Sequence, residues 1–384
     1  MTIADVYRLA YEYKRLLAGR EVRAMARMAR QWIGVQDRLT DAISKLAAEF
    51  AKLESPSTAK LFQMQRYQEL VMQVRSEVAR YNNWLLPAIE NEQRAMGLLA
   101  QRHALAELGQ WGVNVGFNLL DAGAVEAMVG FTGSGAPLAN LLQQAWPTIV
   151  DRLTRVLVDG TALGWNPRKT AREMMRQGVD GGLNRLMMIS RTEQLRAYRT
   201  ATLDRYRASG VVAGYRRVAA KQERTCVACL VEDGKFYELS IEFQDHVNGR
   251  CSLVPILSGH EDDLLGRQSG REWFEAQDAE AQQRIMGQGK WDAWQAGKFG
   301  LDDLVTHPTS ATWGTSIGVT PLKDLEGRQP VARSQEEVYA EWAANLDSTM
   351  ADYHKRMGIK PGTNREGSTR TSRRREAQYD RIGH

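Results

Sequence analysis

All three cysteines of this 384-residue chain lie between positions 226 and 251. Cys226 and Cys229 form a Cys-x-x-Cys pair, and Cys251 follows His246 at the end of the run DHVNGRC. Three thiolates and one imidazole at this spacing suit tetrahedral zinc, and four protein ligands favour a structural site because no coordination position stays open. The four side chains must then converge, which constrains the fold of the whole segment.

Two other interpretations of these residues stay open. Cys226 and Cys229 could act as a thiol–disulfide exchange pair, although no βαβ pattern surrounds them. The cysteines could equally be small buried hydrophobic residues, with His246 as a hydrogen-bonded polar neighbour. The odd, low cysteine count argues against a disulfide-stapled secreted protein, and no signal peptide or apolar run of about 18 residues is visible. The sequence therefore predicts a soluble protein that is made in the cytoplasm and does not enter a membrane.

The positive charge is concentrated at the C-terminal end. Residues 355–384 contain nine basic and three acidic residues, whereas residues 1–354 contain 42 basic and 43 acidic residues. A cationic end of this kind can bind DNA through phosphate charge, and the alternative is a solvated end that only aids solubility. The candidate DNA contacts are Lys355, Arg356, Lys360, Arg365, Arg370, Arg373, Arg374, Arg375 and Arg381.

Apolar residues recur every three or four positions through residues 3–50 and 64–85, on either side of a turn at Pro56. This spacing predicts an antiparallel hairpin of two long helices, the second one kinked or ended by Pro87. The predicted fold class is mostly α with a small α+β module around the cysteines. The predicted divisions are a helical hairpin (1–107), a helical linker region (108–186), a module with the Cys/His cluster (187–258), a Trp-rich helical and irregular segment (259–330), a C-terminal helix (331–358) and a basic disordered tail (359–384).

Three runs between Ile189 and Pro255 form a set: ISRTEQLRAYRTATLDRY, the strand and Cys-x-x-Cys segment GYRRVAAKQERTCVACLVEDGKFY, and DHVNGRCSLVP. Together they resemble the phage Mu F-like head morphogenesis family, the minor head proteins of tailed phages. The Trp-rich run that follows is also similar to sequence after this module in such proteins. Two positions depart from the family pattern, because Val247 and Gly249 stand where it often has proline and cysteine.

The resemblance implies a minor capsid protein that acts in head morphogenesis and is not an enzyme. Such proteins are placed inside the virion, in the phage head near the portal. The implied partners are the portal protein, capsid or scaffolding proteins, and packaged double-stranded DNA, which the basic tail would contact. A long helical hairpin suits docking to a partner of this kind.

The alternative function is a zinc-stapled HNH-like nuclease that acts on phage or host DNA. Asp245 and His246 after a Cys-x-x-Cys pair are similar to that arrangement, and His260 with Asp262 and Asp263 could be recruited to it. The chain lacks a second Cys-x-x-Cys pair, however, and His246 cannot be both a zinc ligand and a general base.

Overall fold

A computed structural model of the chain describes residues 3–113, 125–260 and 268–325. Two long helices dominate it: α1 spans Ile3–Phe50 and α3 spans Gln65–Gln110, with the short helix α2 (Thr58–Gln63) between them. With 48 and 46 residues, each long helix extends over roughly 70 Å at 1.5 Å per residue. The predicted pair of long N-terminal helices is confirmed.

The apolar stripes that predicted the hairpin form its interface. Trp32 and Leu39 of α1 are fully buried, as is Val78 of α3. The ring of Trp32 meets that of Tyr81 edge-on, with centroids 4.7 Å apart, and the Tyr81 hydroxyl donates a hydrogen bond to the Met28 carbonyl at 3.0 Å. The Tyr81 hydroxyl is therefore buried between the helices with its hydrogen bond satisfied.

Pro87 does not end the second helix, and the other predicted outcome, a kink at Pro87, stays a prediction. Proline removes one backbone N–H and crowds the carbonyl four residues earlier, which usually breaks a helix. Here α3 continues through Pro87 to Gln110. The flanking residues Leu85 and Ile89 are buried in the main apolar core, and this packing keeps the helix continuous.

Further helices pack against the hairpin. They are α4 (Leu138–Gln143), α5 (Ala145–Ala162), α6 (Pro167–Glu173) and α7 (Asp180–Ser209), with a π-helical turn at Met174–Val179 between the last two. Asn166 caps α6 by accepting a hydrogen bond from the Lys169 amide at 2.9 Å, and Pro167 occupies the first helical position as predicted. α7 ends at Gly210, whose φ of 67° is the left-handed conformation that glycine adopts without strain.

Beyond α7 the chain forms a three-stranded antiparallel sheet. Its strands are β1 (Val212–Val218), β2 (Phe236–Glu238) and β3 (Ser252–Leu257), in the order β2–β1–β3, and the short helix α8 (Val227–Val231) lies between β1 and β2 in the chain. Pro255 is tolerated in β3 because this strand is at the edge of the sheet. The cysteines therefore lie at the start of α8, within it, and directly before β3.

The Trp-rich segment covers α8. Its helices are α9 (Gly270–Glu275), α10 (Ala279–Met286), α11 (Gln288–Gln295), a 3₁₀ turn (Leu301–Leu304) and α12 (Leu322–Leu325). Four strands of two residues each form two antiparallel pairs. β4 (Val305–Thr306) pairs with β7 (Gly318–Val319), and β5 (Thr309–Ser310) pairs with β6 (Gly314–Thr315). Phe274, Leu304 and Leu325 share one buried apolar cluster with Leu230 and Val231 of α8. This segment therefore supplies the core that α8 lacks by itself.

Several predictions fall outside the described residues. These are the C-terminal helix (331–358), the basic tail (359–384) and the pair Asp262 and Asp263. The division of the chain into domains stays a prediction. None of the helices in the three described ranges is both long enough and apolar enough to cross a membrane.

We expect Trp32→Ala to lower the free energy of unfolding by about 3–5 kcal/mol, because it removes a fully buried side chain from the helix interface. Gln31→Ala changes the preceding, exposed position of the same helix and should alter that energy by less than about 0.5 kcal/mol. Urea unfolding followed by circular dichroism measures both variants. Equal losses in the two variants would contradict the packing described here.

Candidate metal centre

The structure brings the predicted ligands together in two overlapping groups. The ligand atoms of Cys226, Cys229 and His246 lie within 4.8 Å of one another, and so do those of Cys229, Asp245 and Cys251. Cys229 belongs to both groups and links them. These five residues, hereafter the Cys/His cluster, form a possible metal-binding group, and Asp245 is the member that was not predicted as a ligand.

Cys226 is positioned as a metal ligand by the start of α8. It is the residue immediately before the helix, and the amide N–H groups of Ala228 and Cys229 interact with its sulfur. A hydrogen bond from the Cys229 thiol lowers the pKa of Cys226 to about 7, although burial acts in the opposite direction. The thiolate, which is the form that binds metal, is therefore populated at neutral pH.

Cys229 and Cys251 are buried, and their pKa values are raised, whereas that of Cys226 is lowered. The hydrogen bond with Cys226 raises the pKa of Cys229 to about 12, and the hydrogen bond with Cys229 raises that of Cys251 well above its ordinary value. Burial raises the pKa of both thiols further. A metal ion must therefore displace two protons from these thiols on binding, which makes its affinity depend on pH.

The ring of His246 is oriented by the backbone. Its Nδ1 lies 2.8 Å from the carbonyl oxygen of Val247. A carbonyl oxygen can only accept, so Nδ1 carries the hydrogen and the lone pair is on Nε2. This is the arrangement of a metal-binding histidine, whose second nitrogen is usually fixed by a carbonyl or carboxylate.

The Asp245 carboxylate organises the cluster. Its oxygens accept hydrogen bonds from Arg199 at 2.7 Å, from Arg217 at 2.8 Å, and from the amides of His246 at 3.0 Å and Cys251 at 3.2 Å. Burial would raise the pKa of Asp245, but Arg199 and Arg217 outweigh it and hold the pKa below its ordinary value. Four donors occupy the lone-pair positions that a carboxylate offers, so Asp245 positions the ligands and is not free to be one.

Two arginines fix the loop that carries His246 and Cys251. Arg199 of α7 donates to the carbonyls of Cys251 at 2.8 Å and Gly249 at 2.7 Å, in addition to Asp245. Arg217 of β1 approaches from the sheet, and both guanidinium groups stand over the ring of Phe243, at 5.2 and 4.7 Å from its centroid. The loop is therefore held between a helix and a strand.

A second ion-pair network connects this loop to α1. Glu21 is buried and accepts hydrogen bonds from Arg191 of α7 at 2.5 Å and from Arg250 at 2.6 Å. Burial alone would raise the pKa of Glu21, but Arg250 and Arg191 lower it below its ordinary value. Arg191 also donates to the Asn248 side chain at 2.7 Å, and the Asn248 amide donates to Thr192 at 3.1 Å. Helix α1, helix α7 and the loop before Cys251 are therefore tied together.

The departure at Gly249 has a steric reason. A Cβ atom at this position would lie 2.2 Å from the carboxyl carbon of Asp245, far inside van der Waals contact. A cysteine at Gly249 would therefore displace Asp245 and the arginines bound to it. The preceding Asn248 has a φ of 67°, so the tight turn occurs one residue before the glycine.

His260 lies apart from the cluster. Eight residues separate it from Cys251, and the six of them that form β3 span roughly 20 Å of extended chain. Its ring contacts Trp111, with centroids 5.2 Å apart.

A cavity of about 340 Å³ lies elsewhere, between α1 and α6, and includes Thr40 and Arg168 in its lining but no residue of the cluster.

Comparisons of the chain with protein-family models, with curated proteins and with solved structures found no match. The site is therefore interpreted from its own geometry. Sequence reasoning selected the Cys and His residues from their spacing, but it missed Arg199, Arg217 and Glu21. One signal was available, because Arg191 and Arg199 are eight residues apart on a predicted helix and so share a face.

We expect Gly249→Ala to weaken zinc binding by roughly tenfold or more, because the added Cβ displaces Asp245, which orients the ligands. Gly109→Ala in α3 is the matched control, since a Cβ there meets no atom within 4 Å. The control should bind zinc normally and be unchanged or slightly more stable. Competition with a chromophoric chelator measures the affinity, and unchanged affinity in Gly249→Ala would refute the role given to Asp245.

Proposed function

We propose that this chain is a minor phage head protein without enzymatic activity, and that its Cys/His cluster binds a structural zinc ion. The ligands would be Cys226, Cys229, His246 and Cys251. The observation that carries the proposal is the convergence of helix α7, the Cys-x-x-Cys turn and the DHVNGRC loop on one buried charge network. These are the same three runs that resemble the Mu F-like family.

The charges around the cluster support a bound cation with thiolate ligands. Arg199 and Arg217 are both buried, but Asp245 is the one carboxylate that pairs with them in the described residues. One positive charge would therefore be buried without an anion if all three thiols stayed protonated, which is costly. A zinc ion with three thiolates and one neutral imidazole has a net charge of minus one, so it would complete the neutralisation.

The donor types favour zinc over harder metals. Thiolates and imidazole suit zinc, whereas magnesium and calcium prefer oxygen ligands. Bound there, zinc would cross-link the turn before α8 to the loop before β3. That link would stabilise a module whose sheet has strands of seven, three and six residues and little apolar core of its own.

A role in assembly fits the rest of the chain. The long arms α1 and α3 offer an extended helical surface for the portal protein or for capsid or scaffolding proteins. The predicted basic tail (359–384) would add contacts to packaged DNA through phosphate charge. The protein would then act inside the head near the portal, with the zinc module as a rigid part and the hairpin as the docking part.

We expect the purified protein to contain one zinc ion per chain, measured by elemental analysis. His246→Ala should lose most of that zinc and unfold at a lower temperature, because one of four ligands is removed. His260→Ala is the matched control and should keep its zinc, since this histidine lies outside both ligand groups. Zinc-free wild-type protein with normal thermal stability would remove the metal site from the proposal.

The head assignment is tested on particles of the phage that encodes the chain. Mass spectrometry of gradient-purified, DNA-filled heads should detect the protein at far lower copy number than the major capsid protein. Cross-linking before digestion should join residues of α1 or α3 to the portal or to another head protein. Absence of the chain from purified heads would contradict the assignment, whatever the outcome of the zinc measurement.

A further inference from the structure

The outer face of α1 carries an apolar stripe that no described element covers. Val22 and Ile33 are 66% and 52% exposed, which is unusual for aliphatic side chains. With Ala18, Ala26 and Ala29 they are spaced by four, four, three and four residues and so lie on one face. We call these five residues the α1 stripe. Apolar residues at this spacing are the pattern against which a second helix packs.

Positive charge accompanies the α1 stripe. Arg15, Arg23 and Arg30 are exposed, and within the described ranges no carboxylate forms an ion pair with any of them. On the other side of the same helix, Arg20 and Arg27 both pair with Glu92. A helix that packs on the stripe would therefore be stabilised by acidic residues at the edge of its own apolar face. A second copy of the same face is disfavoured, because it would place arginines opposite arginines.

One segment of this chain has the complementary pattern. Residues 334–354, which lie outside the described ranges, contain five acidic residues and no lysine or arginine. The sequence predicts a helix there, with a capping box at Ser334 and Glu337. Large apolar residues recur every four positions at Val338, Trp342, Leu346 and Met350. Helical geometry places acidic residues on both edges of this apolar face: Glu336 and Asp347 on one edge, Glu341 and Asp352 on the other.

The chain leaves the described structure at Leu325, which belongs to the same buried cluster as Leu230 of α8. The Asp233 amide donates to the Leu230 carbonyl at 3.2 Å. The Asp233 side chain in turn accepts from the Ala219 amide at 2.7 Å, next to Val218, whose carbonyl accepts from Lys14 of α1 at 3.4 Å. The eight residues 326–333 span at most roughly 29 Å when extended. This linker limits how far Ser334 can lie from Leu325.

We propose that residues 334–354 pack as a helix on the α1 stripe of the same chain. Trp342, Leu346 and Met350 would fill the space above the three alanines, and the acidic edges would face Arg15, Arg23 and Arg30. A helix of 21 residues is about 32 Å long, enough to cover the roughly 22 Å between Ala18 and Ile33. This contact does not depend on zinc or on the phage-head assignment.

Hydrogen exchange of the full-length protein, read by mass spectrometry, tests the contact. Amides of residues 338–352 should exchange at least tenfold more slowly in the wild type than in Val22→Glu/Ile33→Glu, because two carboxylates in the stripe repel the acidic segment. Leu98→Glu/Leu163→Glu is the matched control, since both leucines are exposed, Leu98 on α3 and Leu163 at the C-cap of α5. It should leave the protection unchanged. Residues 338–352 unprotected in the wild type would overturn the proposal.

A charge exchange separates this contact from general disturbance of α1. Arg15→Glu/Arg23→Glu/Arg30→Glu should lose the protection, and adding Glu336→Lys/Glu341→Lys/Asp347→Lys should restore it. Loss without restoration would overturn the pairing. Sedimentation at two concentrations accompanies the exchange measurement. Protection that grows with concentration together with a dimer would also overturn it, because the segment would then cover α1 of another copy.

Discussion

The buried carboxylate of Asp245 is the group on which the cysteine module depends. It is the anion between Arg199 and Arg217, and it also accepts the backbone amides of His246 and Cys251. One side chain therefore sets the direction of the loop, the position of two candidate ligands and the placement of two buried guanidinium groups. A buried ion pair of this kind adds little net stability over an apolar core, but removing one partner leaves a charge unsatisfied. Its value here is that it allows one arrangement of the loop.

Ion pairs also connect the module to the helical hairpin. Glu21 reaches from α1 to Arg250 in the loop and to Arg191 in α7. Closer to the N-terminus, Lys14 is half-buried and donates to the Val218 carbonyl of β1. Burial lowers the pKa of Lys14, and the nearby Asp233 and Asp245 carboxylates oppose that shift. The first part of α1 thus packs against β1 and β3 of the sheet, through Val6 and Ala10 among others.

Features set by residues close together in the sequence were predictable, and features set by residues far apart in the sequence were not. The long helices were predictable because the spacing of Trp32, Leu39 and their neighbours reports a local period. The continuation of α3 through Pro87 was not predictable, because the packing of Leu85 and Ile89 in the main core overrides the local preference of proline. The ligands could be selected because Cys226 and Cys229 are only three positions apart and all four candidates lie within 26 residues of sequence. The role of Arg217 was not predictable, because arginine is rarely buried and its partner Asp245 lies 28 residues away in the sequence.

The charges also discriminate among the three interpretations of the cysteines. A thiol exchange pair would use the low pKa of Cys226 and the higher pKa of Cys229, and both are present. That chemistry leaves Cys251 and His246 without a role. It also deprotonates Cys226, which is not the cysteine that contacts Arg217. It is Cys229, at 3.6 Å, that contacts Arg217, and Cys229 stays protonated at neutral pH unless a cation replaces its proton. Packing alone would leave the Cys229 thiol beside Arg217 neutral, so Asp245 would be the one carboxylate that pairs with the two buried arginines in the described part of the chain. A bound metal ion would deprotonate the sulfurs next to Arg217 and would use all four predicted ligands, which favours the metal interpretation.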